Sequence, residues 1–331
     1  MKPYIFLGIG NALLDIIVQT TDADLAGLRL DKGTMKLIDL EEFKRTSAFA
    51  AAAHAHYIPA GSVGNMAKIA AMLRQSPVFF GSVGKDEQGD RYQKGMQDLG
   101  VEVRLMRHAT LATGTCTSLV TPDGERTMLT YLGAANSLSL EAFPTDVLSQ
   151  VAFVVVEGYQ LATNGDFISR TVHAAYDSGA RVAIDLSDPF VARASKSAVE
   201  ALLPQVDILF ANEQEALFFT EEKNAHDALQ ALAKRISLPV VKLGKQGAMA
   251  MWRGKVYRVG TSGLAATDST GAGDAFAAGF LTGCYRDMPV TECLKLANDV
   301  AEEMIRIYGT DLDPKALAPV IQAFGLNGPA R

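Results

Sequence analysis

An alternation restricts the fold most. Short, nearly continuous apolar runs recur along the chain: Tyr4 to Ile9, Val78 to Val83, Val151 to Val156, Val182 to Leu186, Val206 to Phe210 and Pro239 to Leu243. Most lead into a stretch of helical composition. A strand that is apolar at every position has to be buried on both faces. Such strands, separated by helices, close as a parallel sheet with helices on either side. A length of 331 residues is long for one core and short for two, so one domain, residues 1–331, carrying an insertion fits best.

The insertion is visible as β-like pieces that break the alternation. Ile16-Ile17-Val18 and Met35-Lys36-Leu37-Ile38 flank a polar connector. Further on, a strand opening at Thr113-Gly114-Thr115-Cys116 turns at Thr121-Pro122-Asp123-Gly124 and returns through Arg126 to Leu132. Pro presets φ for that turn and Gly accepts a positive φ. The two segments, about residues 12–38 and 109–133, are expected to form a small discontinuous β lid.

Bulk properties remove several classes of function. With 48% hydrophobic and 21% charged residues and a net charge of −6, the chain reads as globular, with no general affinity for nucleic acid. Cys116, Cys284 and Cys293 have no metal-ligand spacing and make a poor disulfide set, so a reducing cytoplasm is expected. The apolar start of the chain is interrupted by Asn11 and Asp15 and reads as a buried strand, not a signal peptide. No continuous apolar run reaches the ~18 residues of a membrane span.

Polar residues collect just after the strands: Asn11, Asp15, Asn65, Glu157, Asp188, Asn212, Glu215, Asp268 and Asp274. Together they predict a cleft along the carboxyl edge of the sheet. The densest stretch is Thr267-Asp268-Ser269-Thr270-Gly271-Ala272-Gly273-Asp274-Ala275-Phe276, which runs into an apolar helical segment. Glycines at a helix start bring free N–H groups close to a ligand, and a helix N-terminus attracts anions. Asp274 is then a carboxylate beside an anion site. Phosphoryl transfer uses both: the amides hold the moving group and the aspartate accepts the proton of an attacking hydroxyl.

Other nucleotide chemistries fit less well. Gly8-Ile9-Gly10-Asn11-Ala12-Leu13 is half of a dinucleotide fingerprint, but Leu13 replaces the third glycine, which argues against a Rossmann dehydrogenase. No Gly-x4-Gly-Lys-Ser/Thr loop occurs, which removes Walker-type NTPases. A non-catalytic nucleotide sensor should have lost the base or the glycines, and both are present.

Taken together, the residues resemble the ribokinase-type (PfkB) family of carbohydrate and nucleoside kinases. Ala60-Gly61-Ser62-Val63-Gly64-Asn65-Met66-Ala67 and Asp268-Ser269-Thr270-Gly271-Ala272-Gly273-Asp274-Ala275-Phe276 match its two signatures, and Asn212-Glu213-Gln214-Glu215 matches its Asn-x-x-Glu motif. Within the family the nearest likeness is to the adenosine kinase branch. It rests on strings such as Gly10-Asn11-Ala12-Leu13-Leu14-Asp15-Ile16, Leu132-Gly133-Ala134-Ala135-Asn136 and Asp185-Leu186-Ser187-Asp188-Pro189-Phe190.

The resemblance implies a doubly wound, mainly parallel α/β sheet with helices on both faces and a β-sheet lid. It implies ATP and Mg²⁺ as cofactors, with K⁺ a candidate activator near Asp268 and Gly309-Thr310-Asp311. It implies a phosphotransferase with an alcohol acceptor: the ribose 5′-OH of adenosine or a related nucleoside, or alternatively a free sugar. By position, Asp274 corresponds to the base and Gly271, Ala272 and Gly273 to the anion hole. Asn11, Asp15, Gly61, Ser62 and Asn65 correspond to positions around the acceptor, with Cys116, Leu132, Ala134 and Tyr159 beside them. Asn212, Lys242, Gly244, Gly247, Thr270 and Asn298 correspond to the nucleotide side, with Glu215 reaching the metal through water. Arg126 corresponds to a lid arginine near phosphate. Lys36 in the lid stretch and Gln160 after Tyr159 favour a free sugar, whereas the strings quoted above favour a nucleoside. The expected partner is a small molecule, not nucleic acid or membrane, and the chain a monomer or homodimer.

Overall fold

The computed structural model describes residues 2–53 and 55–328. Its strands are β1 (Tyr4–Ile9), β2 (Leu13–Gln19), β3 (Met35–Leu37), β4 (His56–Ala60), β5 (Val78–Gly84), β6 (Glu102–His108), β7 (Gly114–Val120), β8 (Arg126–Tyr131), β9 (Val151–Glu157), β10 (Arg181–Asp185), β11 (Ile208–Asn212), β12 (Leu238–Lys242), β13 (Ala248–Trp252) and β14 (Lys255–Val259).

Nine of them form one sheet in the order β14-β13-β12-β11-β10-β9-β1-β5-β6. Every neighbouring pair from β6 across to β12 is parallel, and the hairpin of β13 and β14 adds an antiparallel edge. Apolar side chains leave both faces of this sheet. Phe6, Phe153 and Phe210 pack in the cluster that holds the helix Ala272–Tyr285, while Leu7, Val154, Val156 and Leu209 pack in a second cluster. Burial on both sides explains why these strands are unbroken apolar runs. The chain builds outward from β1 through β5 and β6, then returns to β9 on the other side. The β1–β9 seam is therefore the topological switch point, where an open α/β sheet presents its cleft.

The second sheet has five strands in the order β3-β8-β7-β2-β4. One face is buried under the helices Asp22–Leu28 and Leu40–Ala52 by Ile16, Val18, Leu25, Leu119, Leu129 and Tyr131, with Phe43 stacked on Tyr131 at 4.3 Å between ring centroids. The connector expected to be merely polar contains the helix Asp22–Leu28, whose Thr21 and Asp24 close a reciprocal capping box. The sheet also takes in β4, outside the segments 12–38 and 109–133. Pro59 weakens that stretch as a strand signal, yet β4 is an edge strand, where a missing N–H is tolerated. Among the described residues no helix is long and apolar enough to cross a membrane.

Candidate active site

The helix Ala272–Tyr285 starts at Gly271, which takes a left-handed φ of 74°. Ala275 is the first residue to bond back into the helix start, to the Gly271 carbonyl at 2.9 Å. The main-chain N–H groups of Gly273 and Asp274 are left without partners among the described residues. They are the orphan donors of a helix N-terminus, aimed into the cleft. A Cβ on Gly273 would lie 3.1 Å from Lys242 Nζ. The missing side chain thus keeps a gap between two groups that attract anions.

Asp274 sits in the first turn of the same helix. Its carboxylate accepts hydrogen bonds from Ser62 Oγ (2.7 Å) and Asn65 Nδ2 (2.9 Å), both on the helix Ser62–Met72. Part of Asp274 opens to the cleft, but the protein packed around the carboxylate excludes most bulk water. That burial raises its pKa to about 6, aided by the charge of Asp185 and opposed by Asn65, Ser62 and Lys242. Asn65 is 5% exposed and its Oδ1 has no donor, so one acceptor beside Asp274 is free.

Two loops are locked together beneath these residues. Gly61 caps the helix Ser62–Met72 with φ 93°, and a Cβ there would lie 2.0 Å from the Asn11 carbonyl oxygen. Only glycine permits that approach. Glu157, fully buried at the end of β9, accepts from the main-chain N–H of Asn11 (2.8 Å) and of Val63 (3.0 Å). Burial pushes Glu157 up to about 7, against the pull of those two N–H donors.

The other side of the cleft is rich in charge. Lys242 at the end of β12 donates to Asp185 Oδ2 at the end of β10 (2.9 Å). Burial alone would lower the lysine's pKa, but Asp185, Glu215 and Asp274 around it outweigh that and hold it up. Asn212 and Glu215 form a capping box at the end of β11: Asn212 donates its N–H (2.7 Å) and Nδ2 (2.6 Å) to Glu215, and Glu215 N–H donates back to Asn212 Oδ1 (2.8 Å). Burial and the Asp185 charge raise the Glu215 pKa. Asp268 accepts from the N–H and hydroxyl of Thr270 and from Gly309 N–H, and Arg126 of β8 approaches it at 3.4 Å. Arg126 therefore bridges the small sheet to the loop before the anion site.

The open face of the small sheet looks into the cleft. Strand register aligns Leu37, Thr130, Cys116, Asp15 and Ile58 across it. Met35 and Leu37 lie on this face and are 73% and 68% exposed. Lys36 is not part of it. Its register partner is Leu129 on the helix-covered face, and its ammonium binds Glu42 at 2.6 Å. Gln160 is fully buried and donates to Asn11 Oδ1 (2.8 Å) and the Ala135 carbonyl (3.1 Å). The two residues that favoured a free sugar thus serve a salt bridge and an internal brace.

The remaining expected residues spread around this centre. Ala134 is buried in a short 3-10 turn after Leu132, and Tyr159 is 40% exposed in the helix Gly158–Thr163. Gly244 and Gly247 shape the turn between β12 and β13. Asn298 is turned inward, its Nδ2 donating to the carbonyls of Val259 (3.3 Å) and Gly260 (3.0 Å), so its amide braces the β14 edge. Asp185 is absent from the expected residues, although it ends a buried strand and so carries the same signal as the polar strand ends that were singled out. Among the described residues no group of three or more His, Cys, Asp or Glu is arranged to hold a metal ion by itself.

A charged cleft at the switch point of a doubly wound sheet, with an aspartate beside a bare helix N-terminus, is the arrangement of a phosphotransferase acting on a hydroxyl. The model of the pfkB family carbohydrate kinases matches residues 32–316, and the chain belongs to that family. It is 27% identical over 313 residues to adenosine kinase 2 of Arabidopsis thaliana, covering 88% of this chain and 90% of that protein. The crystal structure of adenosine kinase from Sinorhizobium meliloti superposes with a TM-score of 0.82 at 33% identity, covering 98% of this chain and 100% of the other. A probable sugar kinase from Rhizobium etli superposes with a TM-score of 0.84 at 30% identity and the same coverage.

Proposed function

We propose that this enzyme transfers the γ-phosphoryl group of ATP to the 5′-hydroxyl of adenosine or a closely related nucleoside. The single observation that carries phosphoryl transfer is Asp274, held by Ser62 and Asn65 next to the unpaired amides of Gly273 and its own N–H. Asp274 takes the proton of the attacking hydroxyl. Its raised pKa of about 6 brings a carboxylate closer to the basicity such a step needs at neutral pH. The amides of Gly271, Gly273 and Asp274 and the Lys242 ammonium balance charge on the moving phosphoryl group, whereas the Ala272 N–H, expected to share in the anion hole, is held by the Ser269 carbonyl at 3.2 Å. Asn11, Asp15, Gly61 and Asn65 hold the ribose hydroxyls, with the free Asn65 Oδ1 as one acceptor. Arg126 ties the small sheet down as a lid that excludes water, the competing acceptor.

ATP is proposed to lie towards Asn212, Lys242, Gly244, Gly247, Thr270 and Asn298. The donor set fits a magnesium ion that keeps its waters and is held mostly by phosphates, as Mg²⁺ prefers: Glu215 is the fixed carboxylate able to hold those waters. When bound, the ion neutralises phosphate charge. K⁺ is a proposed activator at the junction of Asp268 with Gly309, tested by comparing rates in potassium and tetramethylammonium salts.

Adenosine, rather than a free sugar, is supported by the similarity to adenosine kinases along the whole chain and by the open lid face. Met35 and Leu37 offer apolar surface that a purine covers and a free sugar leaves wet. Cys116, Leu132, Ala134 and Tyr159 are proposed to complete the base site. The test is product analysis with ATP–Mg²⁺ and adenosine: formation of AMP and ADP in equal amounts is expected, and no nucleotide product beyond background would defeat the reading.

A further inference from the structure

Lys68 is buried in the middle of the helix that carries Ser62 and Asn65, with 2% of its surface exposed. Its ammonium donates to the carbonyls of Pro59 (2.5 Å) on β4 and Thr310 (3.3 Å) beyond Gly309. Pro59 lies opposite Leu14, and its neighbour Ile58 lies opposite Asp15. Gly309 donates to Asp268. One cation therefore joins the small sheet, the helix behind Asp274 and the loop beside the anion site. A buried ammonium is costly, and a methionine would fill the same space without that cost. We propose that Lys68 is a positioning residue for acceptor binding: it fixes β4, and so the ribose side of the lid that presents Asp15, against the 309–311 loop. This rests on the reading of Asp15 as a ribose ligand.

Lys68 also bears on the charge of Asp15, which lies opposite Ile58 on β4. Burial raises Asp15 to about 6, against the pull of Lys68 and Arg126. Tyr92 and Cys116 are the other titratable groups that feel Asp15. Burial lowers Lys68 to about 8, against Asp15, Asp311 and Asp274. Without Lys68, Arg126 alone would oppose the desolvation of Asp15. The cavity of about 240 Å³ that Lys68 lines with Pro59 and Thr310 leaves space for a larger cationic side chain.

The experiment compares wild type, Lys68→Met and Lys68→Arg by the pH dependence of kcat/KM with adenosine. Lys68→Met should raise KM roughly tenfold or more and move the acid limb up by about one pH unit, and Lys68→Arg should restore most of both. A Lys68→Met enzyme with the wild-type KM and acid limb would overturn the proposal. So would a loss that Lys68→Arg does not relieve. Should Lys68→Met not fold, Asp15→Asn and the Asp15→Asn/Lys68→Met double variant decide, because the double variant leaves no unpaired buried carboxylate. Lys68→Met should still raise KM on the Asp15→Asn background, because β4 is freed from the 309–311 loop, but should no longer move the acid limb; an unchanged KM there would contradict the mechanism. A wild type inactive on adenosine but active on another hydroxyl acceptor would defeat the substrate assignment alone, and the same profiles would then be read with that acceptor.

Discussion

The two walls of the cleft are built differently. The wall proposed to handle the phosphoryl group comes from strand ends of one rigid sheet and a helix N-terminus, and its polar side chains are already engaged: Lys242 with Asp185, Asn212 with Glu215, Asp268 with Thr270 and Gly309. The wall proposed for the acceptor is the open face of a small sheet assembled from separated stretches, with Met35 and Leu37 exposed and the Asp15 carboxylate without a direct hydrogen bond among the described residues. A preorganised wall suits chemistry shared by a whole family. A wall with unspent apolar surface and free acceptors suits the choice of substrate. Substitutions on the first should therefore cost turnover, and on the second should change KM and acceptor preference.

The largest effect is expected from Asp274→Asn. It should lower kcat by about 10²–10⁴ while ATP still binds, as read by calorimetry. A smaller loss, roughly 10² in kcat/KM, is expected from Lys242→Met, which removes the cation facing Gly273. If its loss lay in the KM for adenosine alone, the division between the walls would fail.

The pH profile sharpens the comparison because it reads both walls at once. Asp274 and Asp15 are each raised to about 6 by burial, and in the proposed mechanism each must be ionised to work. Activity should be full well above that pH and fall as pH drops through it. With two carboxylates titrating together, the slope of log kcat/KM should approach about two on the acid side. A slope of one would assign the limb to a single wall.

The smallest effects belong to the lid. Leu37→Ala should raise KM for adenosine by about 3- to 10-fold, in line with the loss of one partly buried apolar contact, and leave kcat within a factor of about two. Lys36→Met, one residue away on the opposite face, should leave KM unchanged in steady-state assays.

What could be read from the residues follows the same division. The anion site was legible because its parts are adjacent in the chain: glycines, aspartate and helix start lie within one turn. The capping box of Asn212 and Glu215 is likewise local, and the doubly wound sheet announces itself through repeated apolar strands. The acceptor wall was not legible in detail. Which way Lys36 points depends on the register of the short strand β3 against β8, a pairing far apart in sequence. Gln160 and Lys68 are read correctly only once their distant carbonyl partners are known. The strand β4 was hidden by Pro59, and Asp185 by lying just ahead of the Ser-Asp-Pro turn that draws attention to Asp188.

The most direct test of the central claim, that the lid face selects the acceptor while the sheet supplies the chemistry, is the ratio of kcat/KM for adenosine to that for ribose, measured with wild type and Leu37→Ala under identical ATP–Mg²⁺. A base seated on the apolar lid by a few kcal/mol should give wild type a ratio of at least roughly 100, falling in the variant through the adenosine value alone. A ratio below one in wild type, or equal losses for both acceptors in the variant, would contradict it.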